Sequence, residues 1–231
     1  QDAIYKGQKG ILNSLGLPGQ GVDEFSNGIT TSTLWRFDRP LGISIGGESH
    51  NEYIENLIKI DKAFKNIDKQ YFYELNISCP NTENGVTICQ EPENLESLLA
   101  SVRKITDAAI SIKVSPDVPD KKLLEIGEIA SFFEKIIINA GNTKLVKPED
   151  VNVDPNNFSM PAGGLSGLPV LKRTIAMVKL FSNFKNPIMA TGGISNISHV
   201  NAAKSAGASL YGMATSLVLD PYCIPRINSQ L

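Results

Sequence analysis

From residue 41 onward the chain alternates short runs of β-branched and apolar residues with longer amphipathic stretches. The apolar runs Leu41–Ile45, Phe72–Ile77, Ile110–Val114, Lys135–Asn139, Pro187–Ala190 and Ser209–Met213 predict six strands. Each is short and largely apolar, as a strand covered on both faces must be. The intervening stretches carry helical spacing over Asn51–Phe64, Asn94–Ala108, Lys121–Phe133, Pro169–Phe181 and Ser198–Ala206, with a short helix from Pro221 and N-caps at Asp120 and Ser195.

Such alternation calls for a parallel sheet covered by helices, either doubly wound or closed as a barrel. Punctuation favours the barrel. Gly46-Gly47, Ser78–Gly85, Ser115-Pro116, Ala140–Lys144, Thr191–Ile194 and Ala214–Ser216 all follow strands, at the carboxyl ends where barrel enzymes carry their sites. The expected fold is a single α/β domain over residues 1–231, a (β/α)8 TIM-type barrel with its first two βα units absent from this chain. Residues 1–40 read as an N-terminal segment and residues 41–231 as six βα units.

Composition narrows the function classes. With 42% hydrophobic residues and 19 glycines the chain is ordinary for a folded protein, which excludes a disordered or collagen-like chain. Its 22 basic and 24 acidic side chains nearly cancel without runs of like charge, so neither nucleic acid nor an anionic membrane is an expected partner. No apolar stretch reaches the roughly 18 residues of a membrane span, and residues 1–10 lack a signal-peptide pattern; a soluble, cytoplasmic protein is expected. Cys79, Cys89 and Cys223, together with His50 and His199, supply too few well-spaced ligands for zinc, so no metal is expected. Cys223, His50 and His199 fall in or beside helices, where structural roles suit them.

Two groups of residues carry chemistry. Gly163–Gly167 before a helix, Gly192-Gly193 opening another, and Ala214-Thr215 after the last strand offer backbone N–H groups to a phosphate. The plainer alternative is three tight turns with no ligand. In Asn76-Ile77-Ser78-Cys79-Pro80-Asn81-Thr82 two amides flank a thiol. A thiol with a pKa of about 8.5 can take up a proton, and the amides can hydrogen-bond a planar polar ring. A free cysteine that merely packs as a small apolar residue is the competing possibility.

With Asn13–Pro18, Ser44–Gly47, Lys113 in Ile112–Pro116, and Asn139–Thr143, these motifs resemble the dihydroorotate dehydrogenase family, in its soluble class 1 form, from about Gly10 to the C-terminus. The resemblance implies an FMN-containing barrel that oxidises dihydroorotate to orotate in pyrimidine biosynthesis. Cys79 would remove the C5 proton while the C6 hydride passes to flavin N5. It implies cofactor contacts from Ser44, Asn76, Lys113 and Asn139, and a phosphate site at Ser166, Gly167, Gly192, Gly193, Ala214 and Thr215. It implies substrate contacts from Asn13, Leu15, Gly16, Leu17, Asn76, Asn81, Asn142 and Thr143. The implied partners are a soluble electron acceptor such as fumarate, or NAD where a partner subunit exists, and a second copy in a homodimer. No NAD fingerprint is present in the chain itself.

Departures from the family pattern bear on this. The two upstream βα units, with a second lysine that contacts flavin and substrate, do not precede Gln1; Ala214 stands where the family usually has glycine; Thr82 is closer to class 2. Cys89, in Ile88–Glu93, resembles the catalytic loop of the related dihydropyrimidine dehydrogenase, but Asn81 stands where that enzyme has histidine, which favours Cys79. Two rival functions follow: a flavin barrel acting on dihydropyrimidines with Cys89 as base, and a truncated, inactive barrel serving as a binding module.

Overall fold

The computed structural model describes residues 4–6, 10–77 and 92–231. In chain order it contains β1 (Ile4–Lys6), β2 (Gly10–Asn13), α1 (Val22–Ile29), β3 (Leu41–Ile45), α2 (His50–Phe64), β4 (Tyr71–Leu75), α3 (Pro92–Ile105), β5 (Ala109–Val114), α4 (Asp120–Ser131) and β6 (Ile136–Ala140). Then follow β7 (Lys144–Val146), β8 (Gly163–Gly167), α5 (Leu171–Phe181), β9 (Ile188–Thr191), α6 (Ile197–Ala206), β10 (Leu210–Gly212), α7 (Thr215–Leu219) and α8 (Cys223–Asn228).

Six strands form one parallel sheet in the order β10-β9-β6-β5-β4-β3, as the alternation required, and the sheet is curled into a half-barrel. Among the described residues β3 and β10 each pair on one side only. The helices wrap the convex face. Period-2 alternation sends Ile43, Ile45, Tyr73, Leu75, Ile110, Ile112, Val114, Ile136, Ile138 and Ile188 outward beneath them, and all are buried. Each helix returns a matching stripe, for example Tyr53, Leu57, Ile60 and Phe64 on α2, and Thr174, Met177, Val178 and Phe181 on α5. An aromatic knot closes one flank, with Phe64 edge-on to Trp35 and Tyr71, and the Trp35 indole N–H donating to the Ile29 carbonyl at 2.6 Å.

Every expected strand of the parallel sheet is present with ends shifted by at most two residues. The caps differ. Pro119, not Asp120, precedes α4, and the Asp120 carboxylate instead accepts from Arg173 at 2.5 Å. Asn196, not Ser195, caps α6, its Oδ1 accepting from the His199 N–H at 3.0 Å, while Ser195 lies 3.2 Å from His199 Nδ1.

Residues 10–13 do more than lead into the sheet. β2 pairs antiparallel with β8, Gly10 opposite Gly167 and Asn13 opposite Gly164, and β7 flanks β8 on its other side. The glycine run Gly163–Gly167 is therefore the middle of a four-stranded antiparallel sheet, where the sequence suggested a turn before a helix. Leu12, Val153 and Phe158 form a small apolar cluster beside it.

Candidate functional site at the carboxyl ends of the strands

Parallel pairing puts the carboxyl ends of the six strands β3, β4, β5, β6, β9 and β10 on one rim. Ser44 to Gly47, Asn76, Lys113, Asn139 to Gly141, Thr191 to Gly193 and Gly212 to Thr215 therefore share that end. The side chains opposite in parity to the buried outer rows face the concave side: Ser44, Glu74, Asn76, Ser111, Lys113, Asn139, Met189 and Thr191. Ser44 pairs in register with Glu74, Glu74 with Ser111, and Lys113 with Asn139. Four residues expected to meet a cofactor ring, Ser44, Asn76, Lys113 and Asn139, thus lie on one concave surface.

The polar network on this surface centres on Glu74, which the motifs of the sequence do not single out. Its Oε2 accepts from Asn139 Nδ2 at 2.7 Å and from Ser111 Oγ at 3.3 Å. Glu74 and Lys113 make no ion pair among the described residues, so the lysine charge is not spent on the carboxylate. Two buried atoms on the same surface have no hydrogen-bond partner, Asn139 Oδ1 and Thr191 Oγ1. A signal for Glu74 existed in the sequence: one carboxylate inside the apolar run Tyr71–Leu75 must find donors or face the site.

The glycine turns converge. A Cβ on Gly193, whose φ is +77°, would lie 2.8 Å from the Gly167 carbonyl oxygen and 2.7 Å from Leu171 Cβ. Thr215 Oγ1 donates to Ser166 Oγ at 2.8 Å, and Ser216 Oγ to the Ile194 carbonyl at 2.5 Å. Ser166, Gly167, Gly193 and Thr215, distant in sequence, therefore surround one spot, with Gly192 and Ala214 adjoining by chain connectivity. The N–H groups of Gly192 and Gly193 make no hydrogen bond among the described residues. One expectation needs correcting: Gly192-Gly193 does not open α6, which begins at Ile197 behind its Asn196 cap. The free N–H groups belong to the turn itself.

The expected substrate residues are partly brought together. Asn13, at the end of β2, donates from Nδ2 to the Gly164 carbonyl at 3.2 Å, and its Oδ1 accepts from the Leu15 N–H at 3.5 Å. Thr143 packs against the same Gly164, and the Asn142 side chain accepts from the Thr143 N–H at 2.8 Å. Leu15 and Leu17 are exposed beyond β2, with Gly16 between them at φ +67°. Asn76, 8% exposed, follows β4, where the Tyr53 hydroxyl donates to its carbonyl at 2.7 Å. A cleft of about 960 Å³ along the free side of β3 is lined by Leu17, Ser44, Gly46 and Asn76. Another, of about 620 Å³, lies among the strand starts near Gln70 and Thr106, away from every expected site residue. Cys79, Asn81 and Cys89 lie outside the described residues. Among the described residues no group of His, Cys, Asp and Glu could hold a metal ion, and no helix is long and apolar enough to cross a membrane.

Comparison with known proteins agrees with this architecture. A family model described as dihydroorotate dehydrogenase matches residues 3–231. The chain is 32% identical over 231 residues to the dihydroorotate dehydrogenase B (NAD(+)), catalytic subunit, of Bacillus cereus (strain G9842), covering 96% of this chain and 70% of that protein. The protein of the same name from Malacoplasma penetrans (strain HF-2) is 33% identical over 239 residues, covering 99% of this chain and 73% of that protein. Among solved structures, DHODH from Eimeria tenella, crystallised in complex with ferulenol, matches with a TM-score of 0.77 at 20% identity, over 95% of this chain and 66% of that one. That likeness concerns the fold.

Proposed function

The chain belongs to the dihydroorotate dehydrogenase family, and on that premise we propose that it carries the FMN and dihydroorotate sites of an enzyme that oxidises dihydroorotate to orotate. The observation that carries the reading is the meeting of three sequence-distant segments, the end of β8 at Ser166-Gly167, the Gly192-Gly193 turn and Thr215, beside a concave surface with an unpaired lysine and an orphaned buried amide oxygen.

The residues present fit FMN. Gly192 and Gly193 hold unpartnered N–H groups against Gly167, where a phosphate would be accepted; a side chain at Gly193 would fill the space. Ser166 and Thr215 add hydroxyls. Ala214 adds one methyl group where the family usually has none, and its backbone N–H is unaffected. On the concave surface Asn139 offers a buried acceptor, and Lys113 a positive charge suited to the electron-rich ring. FMN, when bound, supplies the acceptor for the hydride.

The chain's own residues do the rest. Asn13, Asn76, Asn81, Asn142 and Thr143 hold the pyrimidine, with the backbone of Leu15, Gly16 and Leu17 near its carboxylate. Cys79 takes the C5 proton on its sulfur. Cys79 comes four residues after the end of β4 in the sequence and is flanked by Asn76 and Asn81, which favours it over Cys89, ten residues further on. The B. cereus and M. penetrans relatives bear the name of an NAD(+)-type catalytic subunit. We therefore assign NAD, reached through a partner subunit, as the final acceptor in preference to fumarate, and a cytoplasmic setting.

The test replaces each thiol in the full-length protein and follows dihydroorotate oxidation. Cys79→Ala is expected to lose about 100- to 10,000-fold in turnover, the usual contribution of a general base, and Cys89→Ala less than about tenfold. A dead Cys89 variant beside an active Cys79 variant, with turnover of dihydrouracil, would transfer the assignment to dihydropyrimidines. A preparation that takes up no FMN would leave a binding module.

A further inference from the structure

Tyr53 has no part in the proposed reaction and reads, along the sequence, as one more apolar position of the α2 stripe. It is 2% exposed, and its ring sits in the core beside Leu57 and Ile60. Its hydroxyl does something a core residue need not do. It donates to the Asn76 carbonyl at 2.7 Å, just past the end of β4.

The ladder between β3 and β4 explains why that bond matters. The Leu41 N–H donates to the Gln70 carbonyl at 3.1 Å at one end, and the Asn76 N–H to the Ile45 carbonyl at 2.9 Å at the other. In a parallel pair alternate residues of a strand bond to the same neighbour, so the next rung would run from the Gly47 N–H to the Asn76 carbonyl. That rung is absent. Gly47 has turned away into the start of α2, where a Cβ on it would lie 3.1 Å from Tyr53 N and 3.2 Å from Tyr53 Cδ2. Tyr53 stands in the first turn of α2, and a helical side chain leans toward its own N-terminus, so the ring reaches back to the rim and its hydroxyl takes the missing place. A tyrosine hydroxyl facing a backbone carbonyl can only donate, which fixes the direction of the bond. Asn76 in turn lines the cleft of about 960 Å³ together with Ser44 and Gly46.

We propose that Tyr53 is a positioning residue: its hydroxyl ends the β3–β4 ladder, fixes the Asn76 peptide and so holds the Asn76 side chain at the cleft where the pyrimidine binds. The inference rests on the proposed pyrimidine site and deepens it.

Tyr53→Phe in the full-length protein keeps the ring and removes one hydrogen bond. Orotate affinity, by titration calorimetry, should fall about 3- to 10-fold, the effect of loosening one hydrogen bond to the ligand. The KM for dihydroorotate should rise by the same factor with kcat within about twofold, since a contact made equally in ground and transition states is lost. FMN content should not change. p-Aminophenylalanine at position 53 restores a donor and should return orotate affinity to within about twofold of native. Tyr73→Phe is the control: it removes another buried tyrosine hydroxyl bond, to Asp61 at 3.1 Å, from within β4, and should lower Tm while leaving orotate affinity intact.

Native orotate affinity in Tyr53→Phe overturns the proposal, as does an equal loss in Tyr73→Phe or no recovery with p-aminophenylalanine. A Tyr53→Phe protein that fails to fold where Tyr73→Phe folds makes the hydroxyl structural and overturns it too. In all these cases the proposed function stands. Failure of the native protein to bind FMN and orotate overturns both.

Discussion

Gly193 offers a sharp test of the phosphate site because the structure gives the size of the perturbation. Its φ of +77° is a conformation that costs an L-residue about 1–2 kcal/mol. A methyl group there would sit 2.7 Å from Leu171 Cβ, 2.8 Å from the Gly167 oxygen and 2.9 Å from Leu171 Cα. Two of these three are backbone atoms, so the turn and the start of α5 must separate, at the cost of about 1–3 kcal/mol typical of overpacking. Gly193→Ala should therefore lose about 2–5 kcal/mol, less than the stability of many domains, and about 4–20 °C in Tm.

Moving Gly167 away from Gly193 also re-aims the N–H groups between them. Losing two charge-assisted hydrogen bonds to a phosphate dianion should weaken FMN by about 100-fold or more. Gly207, at φ +117° and with room for a methyl group only 2.7 Å from Ser182 Cβ, is the matched control at the far end of α6. Gly207→Ala should lower Tm comparably and leave flavin content intact. The assay is the ratio of flavin to protein absorbance after desalting, alongside a thermal melt. Full flavin content in a destabilised Gly193 variant would refute the phosphate assignment; an unshifted Tm would refute the packing argument itself.

Arg173 on α5 donates to the Pro116 and Val118 carbonyls, at 3.0 and 2.7 Å, and to Asp120, holding the loop after β5. Lysine cannot reproduce that fork, so Arg173→Lys should cost about 1.5–3 kcal/mol in urea denaturation, and a loss below about 0.5 kcal/mol would show that the fork is dispensable. Burial first, and the Asp61 carboxylate second, push the Tyr73 hydroxyl well above its ordinary range. The unfolded chain then releases that proton near pH 10 while the folded chain keeps it, so stability should fall above about pH 10 by up to about 1.4 kcal/mol per pH unit. Tyr73→Phe should flatten that alkaline slope relative to the native protein; identical slopes would exclude Tyr73 as its source.

The alternation of apolar runs with helical stripes was enough to locate the parallel strands and to put the glycine and amide motifs at one rim. Both are local properties: a strand covered on two faces must be apolar along its length, and parallel pairing sends all its endings the same way. Asn76 was legible from the amides that flank a thiol near the end of one run, and Lys113 and Asn139 from the family resemblance. Glu74 carried a signal, a carboxylate within an apolar run, but its partners Ser111 and Asn139 on adjacent strands were not legible.

Tertiary structure alone decided the role of Gly163–Gly167. Five residues without bulky polar groups look like a turn, and only their pairing with Gly10–Asn13, from the opposite end of the chain, makes them a strand. That pairing delivers Asn13 to Gly164, the pairing of β7 with β8 brings Thr143 beside the same glycine, and Gly167 lies against Gly193. Sequence periodicity reports which face of an element is apolar. It holds no record of which distant element supplies the hydrogen bonds that an irregular or glycine-rich segment needs, and at this site those bonds set the geometry.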